Sequence, residues 1–228
     1  MKQHEISAEN FDLELTMTCG QTFCWHRVNG KLYEEGDSKD KSPKPHFYTF
    51  RKGEPLIVKQ KQENTLIAKT SLPKDEVKNA LGLDRDLESI FSTFPQDENL
   101  ENAKEQLWGL RIIQDEFFPC LVSYLCSPQM RIPRIKKMHN EMAEKFGEVR
   151  EVDGIEMRRF PTLEELSEAS EDELRELGVG YRAKYIVESI KILQDDFEKE
   201  KFDELNYEEA REHMKKLYGV GDKVADCV

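Results

Sequence analysis

The residue best placed to do chemistry is Lys223, which lies near the start of an expected helix in LYGVGDKVADCV, residues 217–228. A lysine amine is a nucleophile when it is uncharged, and it can then form a Schiff base. The positive N-terminal end of a helix disfavours an ammonium ion and so favours the free amine. Lysines are mostly exposed, however, so the spacing alone favours a solvated surface charge.

Two glycines, Gly219 and Gly221, flank Val220 directly before this lysine. Glycine permits a tight turn and a close approach of the backbone to a ligand, because it has no Cβ. Backbone N–H groups in such a turn, beside a helix N-terminus, favour an anion such as a DNA phosphate. The stretch therefore predicts a hairpin of two helices around an anion-binding turn.

Two further stretches combine glycine with aromatic and polar residues. LGVGYRAKY contains Tyr181 and Arg182, which alone are typical of a half-buried helix residue and a surface charge. CGQTFCW contains Gly20, which alone is typical of a bend in a strand.

A fourth stretch, LVSYLCSPQMRIPRI at residues 121–135, contains Gln129 and Arg134. It opens the most basic cluster of the chain, which consists of Arg131, Arg134, Lys136 and Lys137. Such a cluster is a candidate DNA-binding surface. Without further information it is equally a solvated helix face.

Taken together and in order, these four stretches resemble the 8-oxoguanine DNA glycosylases, a branch of the helix-hairpin-helix base-excision enzymes. The hairpin matches the family pattern Gly-x-Gly, one residue, Lys, x, Ala, Asp, Cys at every position. The resemblance implies that Lys223 is the nucleophile and that Cys227 packs on the flipped base. It also implies that the hairpin turn binds the DNA backbone through Gly219, Val220 and Gly221.

The other stretches would recognise the lesion and its partner base. By resemblance, the carbonyl of Gly20 accepts a hydrogen bond from N7–H of 8-oxoguanine, a donor that guanine lacks. Tyr181 would wedge into the stack while the damaged base is extruded. Arg182 and Arg134 would read the orphaned cytosine, and Gln129 would fill the vacated space.

The sequence departs from the family pattern in two places. Tyr218 stands before the first hairpin glycine, where many family members have proline. Gln129, Met130 and Arg131 stand where the best-known branch has asparagines. By resemblance, the family's catalytic aspartate and its C-terminal base-holding residues would follow Val228, so no residue of this sequence is assigned to them.

The resemblance implies a bifunctional glycosylase and AP lyase that removes 8-oxoguanine and cuts the strand by β-elimination. It implies no metal and no organic cofactor. The expected partner is double-stranded DNA with 8-oxoguanine opposite cytosine, bound by a monomer without a membrane.

Four alternatives remain. A monofunctional glycosylase for alkylated bases has the same fold but lacks the hairpin lysine. A non-catalytic hairpin module would bind DNA without a covalent intermediate, and an acidic protein-interaction domain would not bind DNA. An iron–sulfur enzyme of the endonuclease III type is disfavoured, although its cluster cysteines would follow Val228.

The hydrophobic pattern predicts an α+β fold, with a small N-terminal antiparallel sheet domain at 1–98 and a helical domain at 99–228. Residues 13–70 read as strands, with hairpin turns at Asn29-Gly30 and Lys52-Gly53 and a polar loop at 34–45. Apolar residues at helical spacing predict buried helix faces, among them Leu100, Ala103, Leu107 and Leu110. Thr162 with Glu165 and Ser170 with Glu173 predict capping boxes, and Asn206 predicts a further helix cap.

The composition sets limits on the class of protein. The 228 residues carry a net charge of −12, which argues against a general nucleic-acid coat and requires a local basic face for DNA binding. Five cysteines without paired spacing, and an N-terminus without an apolar signal region, predict an intracellular protein, cytoplasmic or associated with the nucleoid or nucleus.

Overall fold

A computed structural model describes residues 1–29, 32, 45–195, 197, 202 and 204–228. The chain divides into two compact units, Met1–Glu116 and Phe117–Val228. This division falls after residue 98 because the backbone just before it is bonded into the first unit: Asp12 N donates to Gly109 O, and Arg51 donates to Gln114 O. The domain boundary at 98/99 stays a prediction.

The first unit is built on a five-stranded antiparallel sheet in the order β1-β5-β4-β3-β2. The strands are β1 (Lys2–Ser7), β2 (His26–Arg27), β3 (His46–Arg51), β4 (Glu54–Gln62) and β5 (Thr65–Thr70). Lys52 and Gly53, with φ of 52° and 75°, make the predicted turn from β3 to β4. Trp25, Phe47 and Leu56 are buried in the core beneath the sheet.

Within the described residues of this unit, four helices accompany the sheet: α1 (Leu13–Thr18), α2 (Lys74–Ala80), α3 (Leu87–Ser92) and α4 (Glu98–Gln106). The prediction of strands from residue 13 is therefore wrong at α1, where the Asp12 side chain accepts a hydrogen bond from Leu15 N and starts a helix. The buried face predicted around Leu100 is also wrong. None of the residues of α4 is buried, and Leu100 is 37% exposed.

The predicted hairpin at Asn29-Gly30 lies largely outside the described residues, because Gly30, Lys31 and Tyr33 are not described. The same holds for the predicted loop, apart from Pro45. Strand β2 pairs with β3.

The second unit is mostly helical. Its helices are α5 (Phe117–Leu125), α6 (Ile132–Phe146), α7 (Leu163–Ser167), α8 (Glu171–Glu176), α9 (Arg182–Asp195), α10 (Tyr207–Met214) and α11 (Asp222–Cys227). A two-stranded antiparallel ribbon, β6 (Val149–Val152) and β7 (Ile155–Arg158), follows α6. The fold class is α+β, as predicted.

Local capping signals fix the helix starts of this unit. Both predicted capping boxes are present, at Thr162 and Ser170, and Asn206 caps α10 in a third box with Glu209. These bonds satisfy backbone donors that the first turn of a helix leaves unpaired. Within the described ranges, no helix combines the length and the apolar character that crossing a membrane requires.

Candidate active site

The hairpin between α10 and α11 depends on two glycines with different roles. Gly219 has φ of +85°, and a Cβ there would lie 2.6 Å from Cγ of the Tyr185 ring, so a side chain at this position would clash. Gly221 is the extended N-cap of α11, and its carbonyl accepts a hydrogen bond from Ala225 N at 2.9 Å. Between them, the side chain of Val220 is buried and anchors the turn.

Ion pairs tie the two hairpin helices together. Tyr207 Oη donates a hydrogen bond of 2.8 Å to Asp226 Oδ1. Arg211 Nε lies 2.9 Å from the same oxygen, as an ion pair outside hydrogen-bond geometry. Lys215 Nζ lies 3.1 Å from Asp222 Oδ1, and this contact and the charge of Arg211 lower the pKa of Asp222. The start and the end of α11 are thus both held by cations of α10 and its C-cap.

Lys223 lies in the first turn of α11, one residue after Asp222, and its side chain is exposed. Among the described residues, no carboxylate pairs with its ammonium group, although Asp222 and Asp226 flank it. Those two carboxylates are paired with Arg211 and Lys215. The amine is therefore open to an incoming electrophile.

Cys227 lies four residues after Lys223, so both side chains share one face of α11. Partial burial raises the pKa of the Cys227 thiol, and the positive charge of Lys223 offsets part of that rise. The thiol is therefore neutral near pH 7. The Cys227 carbonyl accepts a weak hydrogen bond from Cys120 Sγ at 3.7 Å, which links α11 to α5.

The structure places Arg182 in the interior. The residue is 3% exposed, and its guanidinium donates to the carbonyls of Pro128 and Val179. Its guanidinium carbon also lies 4.5 Å from the ring centroid of Tyr181, which is itself 46% exposed. The side chain thus supports the exposed tyrosine and fixes the turn before α6.

Arg134 and Gln129 lie in the same neighbourhood. Arg134 Nη2 donates to the carbonyl of Gly178 at 3.4 Å, which joins the start of α6 to the loop before α9. Gln129 is exposed and has φ of 57°, so the turn between α5 and α6 presents its side chain outward. Arg134 and Arg182 therefore tie this turn to the loop that carries Tyr181.

Gly20 belongs to the first unit, next to the C-cap Cys19 of α1, and has φ of 95°. The next side chain fixes this loop: Gln21 Nε2 donates to Thr16 O at 3.0 Å and to Arg111 O at 2.7 Å. Gln21 Oε1 accepts from Ile113 N at 3.1 Å. Gly20 is thus at a turn that only a residue tolerant of positive φ can form, next to a fully bonded glutamine.

Comparison with known proteins decides the family. The sequence profile of the 8-oxoguanine DNA glycosylase N-terminal domain matches residues 4–121, more than half of the chain. The chain belongs to the 8-oxoguanine DNA glycosylase family. The profile of the HhH-GPD superfamily of base excision DNA repair proteins matches residues 122–224, which include the hairpin and Lys223.

Individual relatives agree with this assignment. The N-glycosylase/DNA lyase of Saccharomyces cerevisiae is 35% identical over 196 residues, which are 76% of this chain and 52% of the yeast protein. A probable N-glycosylase/DNA lyase of Methanothermobacter thermautotrophicus is 29% identical over 98% of this chain and 76% of its own length. The chain thus spans about half the length of the yeast relative.

A solved structure matches the whole chain of this family member. The 8-oxoguanine glycosylase/lyase of Clostridium acetobutylicum, in complex with double-stranded DNA containing cytosine opposite 8-oxoG, superimposes with a TM-score of 0.81. It is 28% identical, and the match covers 100% of this chain and 77% of the other.

The sequence of this 8-oxoguanine glycosylase family member also predicted an exposed basic cluster. That prediction is wrong for Lys136. Lys136 is 6% exposed, and its charge adds to the burial that holds the pKa of the buried His139 well below the ordinary value. Arg131 and Lys137 are exposed, and Lys137 pairs with Glu141 at 3.5 Å. The exposed part of the cluster is therefore smaller than the sequence indicates.

The ion pairs that join α10 to α11 were not predicted from the sequence. Tyr207 and Arg211 are four residues apart, as are Asp222 and Asp226, so each pair lies on one helix face. That spacing could have indicated a contact between the two helix faces. Among the described residues, no group of three or more histidines, cysteines and carboxylates forms a metal site.

Proposed function

We propose that the protein is a bifunctional DNA glycosylase and AP lyase that removes 8-oxoguanine from duplex DNA, with Lys223 as the nucleophile. The observation that carries the proposal is the exposed Lys223 side chain, unpaired among the described residues, directly after a glycine hairpin. Membership of the family and the printed activities of its relatives support the same chemistry.

The chemistry proceeds in steps whose atoms balance. The lone pair of Lys223 Nζ attacks C1′ of the damaged nucleotide, and the C1′–N9 bond breaks, so that the base leaves with the bonding pair and takes up a proton. Loss of a proton from the nitrogen and opening of the sugar ring give a protonated imine between Nζ and C1′. Removal of a C2′ proton then expels the 3′ phosphate by β-elimination, and water hydrolyses the imine and regenerates the amine.

Other residues bind and position the substrate. The hairpin turn of Gly219, Val220 and Gly221 holds a phosphate of the lesion strand through backbone N–H groups. Tyr181 enters the base stack, and Cys227, as a neutral thiol, packs on the extruded base. A neutral thiol adds no charge against the carbonyl edge of 8-oxoguanine.

Recognition of the lesion and of its partner base completes the proposal. Gly20 accepts N7–H of 8-oxoguanine, which separates the lesion from guanine. Gln129 fills the space that the lesion vacates. Arg134 and Arg182 bind the orphaned cytosine, for which Arg182 must exchange a backbone carbonyl for a base acceptor. We further propose that the enzyme acts as a monomer, in the compartment that holds the DNA.

Borohydride trapping tests this function in the full-length protein. Incubation with an 8-oxoguanine:cytosine duplex and borohydride should give a covalent protein–DNA adduct, because reduction makes the imine permanent. Lys223→Gln should lose the adduct and base release while keeping DNA affinity, since the hairpin's backbone donors remain.

Lys216→Gln, which changes another exposed lysine near the same hairpin, should trap as well as the parent protein. Trapping by Lys223→Gln would refute the nucleophile. Equal excision of an alkylated purine would favour the alkylated-base alternative.

A further inference from the structure

A ladder of three tyrosines joins the hairpin to the start of α9. The ring of Tyr185 meets Tyr181 and Tyr218 edge-to-face, with centroid distances of 5.6 and 5.7 Å. The outer two rings are exposed, Tyr181 at 46% and Tyr218 at 42%, whereas Tyr185 is partly buried. Such edge-to-face pairs are favourable and hold the outer rings in place.

The hairpin is fixed against this ladder from both sides. Gly219 packs so closely on Tyr185 that a Cβ would lie 2.6 Å from the ring. Ser189 Oγ donates a hydrogen bond of 2.9 Å to the carbonyl of Tyr218. The exposed Tyr218 ring therefore has a defined position directly before the turn that is proposed to hold a phosphate.

A cation accompanies the exposed ring. Lys184 Nζ lies 5.6 Å from the Tyr218 ring centroid, within the range of a cation–π contact. Lys137, Lys191 and Lys215 pair with carboxylates on the same unit. In the part of the chain that the structure describes, Lys184 has no such carboxylate partner, so its charge is available to an external anion.

We propose that Tyr218 and Lys184 form a further DNA-binding site, in which the ring packs on a nucleotide of the strand held by the hairpin and the ammonium binds a neighbouring phosphate. An exposed aromatic ring beside an uncompensated cation fits a nucleotide, which offers a π-face and a negative charge together. The proposal deepens the proposed function and rests on it, because the ligand is the same duplex. Tyr218 stands where the family pattern often has proline, so the contact distinguishes this chain from such relatives.

Equilibrium binding tests this site without any chemical step. The probe is a duplex with a tetrahydrofuran abasic analogue opposite cytosine, and the Kd is measured by fluorescence anisotropy over a salt series. Tyr218→Ala should raise the Kd about five- to tenfold, and Tyr218→Phe should retain parental affinity, since stacking needs the ring and not the hydroxyl. Lys184→Gln should lower the magnitude of the log–log salt slope by about 0.9, the value for one phosphate.

A control of the same kind lies in the first unit. Lys104 Nζ is also 5.6 Å from an aromatic centroid, that of Phe91, but it pairs with Glu101 at 3.6 Å, so Lys104→Gln removes a like cation–π contact with a compensated charge outside the proposed site. It should leave the Kd and the slope unchanged. If Tyr218→Ala unfolds, Lys184→Gln still tests the site because its side chain is exposed. Parental Kd and slope in a folded Lys184→Gln protein would overturn the proposal.

The outcome separates this site from the proposed function. Borohydride trapping by the parent protein tests the enzyme assignment on its own, because the binding measurement involves no chemical step. If the variants bind DNA more weakly but the parent does not trap, the enzyme assignment is refuted and the DNA contact stands. If the parent traps but the variants bind DNA as the parent does, the DNA contact is refuted and the enzyme assignment stands.

Discussion

Gly178 and Arg134 are in such close contact that a Cβ on Gly178 would lie 2.1 Å from Arg134 Nη2. Gly178 also has φ of +73°, and its carbonyl accepts the hydrogen bond from that nitrogen. The backbone conformation thus favours glycine, and any side chain here would have to displace the Arg134 guanidinium.

Gly178→Ala should therefore displace Arg134 and relax the preference for cytosine opposite the lesion. Gly180→Ala is a matched comparison, since Gly180 has φ of +65° but nothing within 4 Å of a Cβ. Both changes should lower the free energy of unfolding by about 1–2 kcal/mol through backbone strain. Only Gly178→Ala should alter the ratio of excision rates opposite the four bases. Equal ratios in both variants would refute the role of Arg134.

Arg182→Ala should lower the free energy of unfolding by about 2–4 kcal/mol, because the carbonyls of Pro128 and Val179 lose a buried charged donor. Arg175→Ala removes an exposed arginine that pairs with Glu171, and should change stability by no more than about 1 kcal/mol. Urea denaturation of both variants measures the difference.

Below its unfolding transition, the Arg182→Ala protein should also lose about 1–3 kcal/mol of discrimination between cytosine and other opposite bases. Arg175→Ala is again the control, and its discrimination between opposite bases should be unchanged. A destabilised Arg182→Ala protein with parental discrimination would show that Arg182 is purely structural.

Cys227 should be alkylated by iodoacetamide with a pH midpoint above that of the same cysteine in the urea-unfolded chain. Its pKa is raised in the folded state, which favours the neutral thiol, so thiolate forms only at higher pH. Lys223→Gln should move the folded midpoint further up, because the lysine charge stabilises the thiolate. Peptide mass spectrometry over a pH series reads both effects. A folded midpoint at or below the unfolded one would contradict the raised pKa of the Cys227 thiol.

Arg131 and Lys136 should differ in their effects on DNA binding although both belong to the predicted basic cluster. Arg131→Gln should reduce the magnitude of the log–log salt slope by about 0.9, since an exposed guanidinium can neutralise one phosphate. Lys136→Gln should leave the slope unchanged and alter thermal stability, because Lys136 is buried. A slope change in the Lys136 variant alone would reverse this assignment.

Features set by neighbouring residues were predictable from the sequence. The capping boxes at Thr162 and Ser170 and the turn at Lys52-Gly53 depend on contacts within four residues, and all are present. The hairpin glycines were found for the same reason, because a turn next to a helix leaves a local pattern.

Features set by tertiary packing were not predictable. Arg182 has the residue type of a surface position, yet it is buried, and its guanidinium donates to the carbonyl of Pro128, 54 positions earlier. Leu100 belongs to an apolar pattern with helical spacing, yet none of the residues of α4 is buried. Lys136 was predicted to be exposed and is buried, because periodicity identifies a helix face but does not say what covers it.

Arg111 closes the first unit through bonds that span most of its length. Its side chain donates to the carbonyls of Glu9, Asn10 and Arg85, and its own carbonyl accepts from Gln21, a residue 90 positions earlier. Contacts of such sequence separation form late, because the loop they close must first be ordered. During synthesis, the Gly20 turn therefore cannot reach its final form until the ribosome has released the chain beyond Ile113.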